Sequence, residues 1–132
     1  VLGRISVAAG HYPTKGRRPG DPNHWINRLY ATKIGKWAKA KGRGAALAFY
    51  SGDQNMLDRV TDTFFGEPLT SVWDELEKWP STGHGNIDVI ASYDRDGRVK
   101  ARSARAFPDG KVFLHTDHFL IEATFDIKPA RP

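Results

Sequence analysis

The hydrophobic period changes twice within the first fifty residues, and this restricts the fold more than any other feature. Arg4–Ala8 (R-I-S-V-A) is a short β-branched run closed by Ala9-Gly10, a pattern that predicts a buried strand. Residues 11–20 are rich in Gly, Pro and polar types and read as a loop. Asp21-Pro22 then offers a helix start, with Asp as N-cap and Pro as first helical residue. Ile26, Leu29, Tyr30, Ile34, Trp37 and Ala38 recur at helical spacing on one face. Lys36, Lys39 and Lys41 complement the dipole of its last turns, and Gly42 is a natural stop. Ala45–Tyr50 (A-A-L-A-F-Y) returns to a strand pattern, ended by Ser51-Gly52-Asp53. Strand, helix and strand in so short a span form a βαβ unit, which requires a parallel pair.

Downstream, Met56, Leu57, Val60 and Phe64 share one face of a second helix, broken by Gly66 and Pro68. Ser71 opens a short helix carrying Val72, Trp73, Leu76 and Trp79, and Pro80 closes it. Ser81–Asn86 is a loop, and from Ile87 the period becomes two. Ile87–Tyr93 and Arg98–Ala106, joined through Asp94–Gly97, predict a hairpin with Asp96-Gly97 as its turn. Pro108-Asp109-Gly110 makes another turn, and Lys111–Ile127 reads as one long final strand. The expected fold is α/β: a short parallel βαβ core followed by antiparallel strands. The 132 residues are expected to form a single domain, 1–132.

The chain has no cysteine, which excludes disulfides, Cys-ligated zinc, iron–sulfur clusters and thiol nucleophiles. No apolar run approaches the ~20 residues of a membrane-spanning helix. Charge is unevenly spread. Residues 1–45 carry ten Lys or Arg against one acid, whereas residues 46–94 carry two against nine. The basic first third suggests a polyanionic partner, either nucleic acid or an anionic envelope polymer. Arg17, Arg18 and Lys36 are candidate contacts, with Arg98, Lys100 and Arg102 alternating onto one face of a strand.

Several residues are candidates for chemistry. His11 ends the first strand, where ligands gather in open α/β sheets, and suits a metal ligand or an acid/base. Glu122 lies in F-L-I-E-A-T-F, where a carboxylate is costly unless paired, metal-linked or protonated. Burial there would raise its pKa toward that of a general base. A strictly alternating strand would instead place Glu122 on a solvated face with His118, Leu120 and Thr124. His118 and Glu122, four strand residues apart, are separated by ~13 Å and would line one cleft without sharing a metal. His24, in the first helical turn, is within reach of His11, and His84 sits in a Gly-flanked loop. Gly16–Gly20 (G-R-R-P-G) lacks the Lys-Ser/Thr pair of a phosphate-binding loop, and no Gly-x-Ser-x-Gly elbow exists.

Arg4–His11, the Gly-containing loop, the long helix and the strand Ala45–Tyr50 resemble the start of the zinc-dependent N-acetylmuramoyl-L-alanine amidases. Leu120–Phe125 is similar to that family's late segment bearing the catalytic Glu. The resemblance implies a peptidoglycan hydrolase with His11 as first zinc ligand. His24 would stand where the family has a Glu, and His84, in G-H-G-N, would be the third ligand. Zinc would lower the pKa of its bound water to about 7. Glu122 would act as general base on the lactyl amide and His118 would stabilise the oxyanion. Peptidoglycan would be the anionic partner and the cell envelope or exterior the location. Two other readings fit the same residues. One is a cytoplasmic, basic nucleic-acid-binding module or small metal-independent nuclease. The other is a non-catalytic toxin or inhibitor domain that binds a protein.

Overall fold

The computed structural model describes residues 3–43, 46–55, 69–83, 87–108 and 118–129. β1 (Ile5–His11), α1 (His24–Lys41) and β2 (Leu47–Asp53) form the expected βαβ unit, with β1 and β2 parallel. After β3 (Thr70–Ser71) and α2 (Val72–Glu75), β4 (Asp88–Tyr93) inserts between β2 and β3, antiparallel to both. The first sheet therefore has the order β1-β2-β4-β3. β5 (Val99–Phe107) and β6 (Leu120–Ile127) pair antiparallel as a second, two-stranded sheet. The architecture is α/β, a parallel core followed by antiparallel strands.

The two sheets meet through side chains. Phe49 and Phe125 pack edge to face with ring centroids 5.1 Å apart. Ala104, Ile121 and Ala123 join Phe125 against the core built on Ala48, Tyr50, Trp73, Val89 and Ala91. Glu75 of α2 accepts a hydrogen bond from the Ala101 amide at 2.9 Å, where the β5–β6 register shifts. Ser71 caps α2, its Oγ accepting from the Trp73 amide at 3.2 Å.

α1 differs from the expected amphipathic helix in which face it buries. Asn27, Ala31, Gly35 and Ala38 are buried, while Leu29 and Tyr30 are exposed and Ile34 and Trp37 are half-buried. The sheet-facing stripe is made of small residues, and the bulky ones rim it. The helix also starts later than Asp21-Pro22 suggests. Asn23 is its N-cap, and the Asp21 carboxylate accepts from the Arg18 amide at 2.8 Å instead. Gly42 ends the helix as expected, its amide donating to the Ala38 carbonyl.

β2 does not stop at Ser51. It continues through Gly52 to Asp53, because Gly52 faces Gly10 across the parallel pair. A Cβ on Gly52 would lie 2.0 Å from the Gly10 carbonyl oxygen and 2.7 Å from the Tyr50 hydroxyl. β1 is an edge strand among the described residues and not the buried strand expected, with Ile5 48% and Val7 71% exposed.

The hairpin expected across Asp94–Gly97 does not form. β4 already has β2 and β3 on its two edges, so β5 must leave for another sheet. The Asp94 carboxylate directs that departure by accepting from the amides of Asp96, Arg98 and Val99 at 2.9–3.0 Å. The final strand is shorter than expected: β6 begins at Leu120, and His118 lies in a bend before it. The helix expected over Met56–Phe64, the Asp109-Gly110 turn and residues 111–117 lie outside the described residues. No helix among the described residues is long and apolar enough to cross a membrane.

Gly52→Ala is expected to destabilise the fold by ~3 kcal/mol or more, since the added methyl meets backbone that cannot yield. Gly97→Ala meets open space, so only its left-handed φ of 62° opposes it and the cost should be about 1–2 kcal/mol. Urea unfolding of the two variants measures both values.

Candidate active site

Three adjacent strands deliver polar residues at one level of the sheet. His11 ends β1 opposite Asp53, and Asp53 ends β2 opposite Asp88, the first residue of β4. Asp53 and Asp88 are buried. Carboxylates directly opposite on neighbouring strands repel, and burial removes the water that would screen them. Burial accordingly pushes the Asp53 carboxyl above its ordinary value, and the Asp88 charge pushes the same way. The Asn55 hydrogen bond and the nearby His118 and His11 oppose the shift.

The loop after β2 fixes the Asp53 carboxylate. Its Oδ1 accepts from the Asn55 amide at 2.6 Å, and its Oδ2 from Asn55 Nδ2 at 3.1 Å. Asn55 adopts φ 45°, a left-handed conformation that Asn tolerates better than most residues. The same Nδ2 donates to the Tyr12 carbonyl at 2.8 Å, tying the loop to the residue after His11. From α1, the buried Asn27 donates to the Pro13 carbonyl at 3.0 Å and approaches the Gln54 and Asn55 carbonyls at 3.4 and 3.3 Å. Gly16 makes room for it, since a Cβ there would lie 2.2 Å from Asn27 Nδ2. Tyr12 is buried beneath, its phenol pushed up to about 12 by burial, so it stays neutral.

Asp88 is held from behind. Its carbonyl accepts from the Trp73 indole at 2.8 Å, and its amide approaches Thr82 Oγ1 at 3.4 Å. His118 arrives from the bend before β6, anchored by a hydrogen bond from the Phe119 amide to the Thr82 carbonyl at 2.8 Å. His118 Nδ1 lies 2.9 and 3.1 Å from the two Asp88 oxygens. A carboxylate only accepts, so Nδ1 carries the proton in this contact. Nε2 then faces Asp53, 3.7 Å from its Oδ2. His11 stands at the mouth, 65% exposed, with Nε2 3.4 Å from the same oxygen.

Donor atoms of Asp53, Asp88 and His118 all lie within 4.8 Å of one another. Two carboxylates and an imidazole form a donor set that can chelate a divalent cation. A cation there would offset the carboxylate repulsion that the strand register imposes.

The structure distributes the residues picked out from sequence as follows. His118 belongs to the cluster and His11 borders it. His24 heads α1, outside that cluster. His84 lies outside the described residues. Glu122 is not buried among core residues. It is exposed on the outer face of β6, opposite Arg105, with an ion-pair distance of 3.2 Å. β6 alternates strictly there, so Ile121, Ala123 and Phe125 take the inner face. Arg98 is also misplaced by the hairpin reading. It is buried beside Asp94, its Nε 3.6 Å from Oδ1, and does not share an exposed stripe with Lys100 and Arg102. Arg102 lies 3.8 Å from Asp126 of β6, and both are exposed. Arg18 and Lys36 are exposed, and Arg17 is half-buried.

Asp53, Asn55 and Asp88 carry the site without belonging to any motif that the sequence displays. A signal existed for Asp88. It sits in I-D-V-I, as isolated among apolar residues as Glu122. Asp53 was hidden because Ser-Gly-Asp reads as a strand terminator.

No protein-family model matches the chain, and no curated protein sequence does. Solved structures do. A D. rerio TDP2 humanized by 14 mutations matches with a TM-score of 0.66 and 15% identity, over 92% of this chain and 55% of that one. D. rerio TDP2 complexed with a single-strand DNA product matches with a TM-score of 0.61 and 15% identity, over 91% and 55%. The chain thus spans about half the length of these structures. At that identity the likeness is one of fold. It overturns the resemblance to zinc amidases, and with it the peptidoglycan hydrolase, the amidase role of Glu122 and the cell-wall partner. Among the described residues, the donor cluster is Asp53, Asp88 and His118, and neither His11 nor His24 is part of it.

Proposed function

We propose that the chain carries a phosphodiester-hydrolysing site that acts on nucleic acid with the help of a divalent cation. The observation that carries this reading is the pair of buried, facing carboxylates, Asp53 and Asp88, with His118 oriented between them. The likeness in fold to a protein crystallised with a single-strand DNA product supports the substrate class. The basic first third of the chain supports a polyanionic substrate as well.

Asp53 and Asp88 would hold the cation. Their oxygens suit a hard ion such as Mg2+ or Mn2+ better than zinc. Bound there, it would polarise a phosphoryl oxygen and offset the charge that builds up in the transition state. The rest falls to side chains. Asp88 fixes the His118 ring through Nδ1 and stabilises its protonated form, leaving Nε2 to take the proton of an attacking water. His11, at the open side and 3.4 Å from Asp53, is placed to donate to a non-bridging phosphoryl oxygen. Asn55 acts indirectly by clamping Asp53. The proton-handling group comes from the bend that leads into the second sheet, and the carboxylates from the first.

Hydrolysis of bis-p-nitrophenyl phosphate and of single-stranded DNA in Mg2+, Mn2+ or Zn2+ tests this. Activity is expected with Mg2+ or Mn2+ and is removed by chelation. His118→Ala and Asp88→Asn should each lower turnover by ~100-fold or more. Glu122→Gln should change neither turnover nor stability, because that carboxylate is exposed. Failure of all three ions to support cleavage, or an unimpaired His118→Ala, ends the reading.

Asp53 gives a second expectation, with a defined sign. Its folded pKa is raised, so the native state binds more protons than the unfolded chain above the ordinary carboxylate range. Without metal, stability should therefore fall as pH rises from that range toward the raised value. Asp53→Asn should raise the metal-free melting temperature at neutral pH and flatten this slope. It should also abolish stabilisation by Mg2+ or Mn2+, which wild type should show. Calorimetric melting curves across pH, with and without metal, check all three.

A further inference from the structure

We propose that the outer face of α1 is a docking surface for single-stranded nucleic acid, with Trp25 as a base-stacking platform. The helix leaves three of its large side chains substantially exposed. Trp25 is 65% exposed, Leu29 46% and Tyr30 47%. Asn27, Ala31, Gly35 and Ala38 form the buried stripe. Tyr30 leans on the buried Tyr12 ring, with centroids 5.6 Å apart, whereas Trp25 is the most exposed of the three. At 100° per residue, Trp25, Leu29 and Lys36 fall within an arc of about 40°, and Lys33 extends it to about 80°.

Charge identifies the occupant. α1 (HWINRLYATKIGKWAKAK) contains no acid at all and five Lys or Arg. The loop that leads into it adds Lys15 and Arg18, both exposed. That loop is folded onto the helix start: Asn23 donates from its amide to the Lys15 carbonyl at 3.0 Å and from Nδ2 to the Thr14 carbonyl at 2.6 Å. Aromatic faces interleaved with cations, with Asp21 of the loop as the one acid between Lys15 and Lys41, match a phosphate backbone carrying bases. A duplex keeps its base faces stacked inside and has none to offer Trp25, so the fitting form is a single strand.

Position links this surface to the site. Asn27 reaches inward to the loop that carries Asp53, while Trp25, one half-turn earlier, faces outward. One helix width, about 10 Å, separates the two faces. A strand leaving the Asp53–Asp88–His118 cluster would cross the start of α1. This role for the surface rests on the phosphodiesterase reading, but binding can be measured without cleavage.

Anisotropy of a fluorescein-labelled oligodeoxythymidylate in EDTA, over a salt series, tests the proposal. Wild type should bind, and Trp25→Ala should lose roughly tenfold or more in affinity. Its salt slope and melting temperature should stay unchanged, since the indole is exposed. Lys33→Glu with Lys36→Glu should reduce the slope of log K against log salt by about 1.4 or more. Wild-type affinity in both variants overturns the proposal. So does an equal Trp25 effect on a hairpin duplex. Saturable binding of an Asp-rich peptide in place of the oligonucleotide also overturns it, and assigns the face to an acidic protein. Trp25-dependent binding by a protein that cleaves no phosphodiester sustains this surface and refutes the proposed catalysis. Cleavage by a protein indifferent to Trp25 does the reverse.

Discussion

Two carboxylates meet at the end of the central strand pair because the β2–β4 register leaves them no alternative. Asp53 and Asp88 are directly opposed, and both are buried. Such an arrangement is unfavourable by itself, and much of the surrounding structure acts to sustain it. Asn55 accepts a left-handed backbone in order to donate twice to Asp53. Asn27 places a buried amide at the start of an otherwise small-residue helix face to hold that loop. Trp73 and Thr82 grip the backbone of Asp88 so that its carboxylate faces forward. Strain concentrated around one charge pair, and supported from several elements, is the pattern expected where function and stability conflict.

The division into two sheets follows from the same centre. β4 must lie beside β2 to bring Asp88 to Asp53, and β3 closes its other edge. The chain then has no free edge on which to fold back, and the Asp94 turn sends it to a second layer. That second layer returns His118 to the first through the bend before β6. A hairpin at Asp94–Gly97 would have kept β5 in the first sheet, with no route for His118 to the carboxylates.

Local periodicity made the βαβ unit legible, since β1, α1 and β2 each depend on nearby residues for their character. Pairing was not legible. The stretch Tyr93–Val99 has the chemistry of a hairpin turn, and only the occupancy of both β4 edges, a non-local fact, rules the hairpin out. The helix face was misread for a related reason. Bulky Leu29 and Tyr30 look like core, yet close approach to a sheet favours Ala31 and Ala38. The criterion of a lone carboxylate among apolar residues was sound chemistry applied to the wrong strand. In β6 strict alternation exposes Glu122, whereas Asp88, paired with Asp53 of β2 and covered by His118, is buried. Asp53 owes its place to Gly10 and Gly52, whose close approach lets β2 run on past Tyr50, a non-local contact that Ser-Gly-Asp alone does not signal.

Among the described residues β1 has an open edge, which bears on how molecules of this protein behave toward one another. Ile5, Ser6, Val7, Ala8 and Ala9 form an uncharged strand without proline, and Val7 is among the most exposed large apolar residues. Strand edges of this kind add readily to one another; no bulge interrupts this one among the described residues, and Arg4 places a charge only at its start. Opposing such growth is the net charge of +5, which keeps copies apart by long-range repulsion. That repulsion weakens as added salt shortens the screening length. Concentrated solutions should therefore be clearest at low ionic strength, and a polyanion that neutralises the basic third would remove the barrier to edge-to-edge assembly.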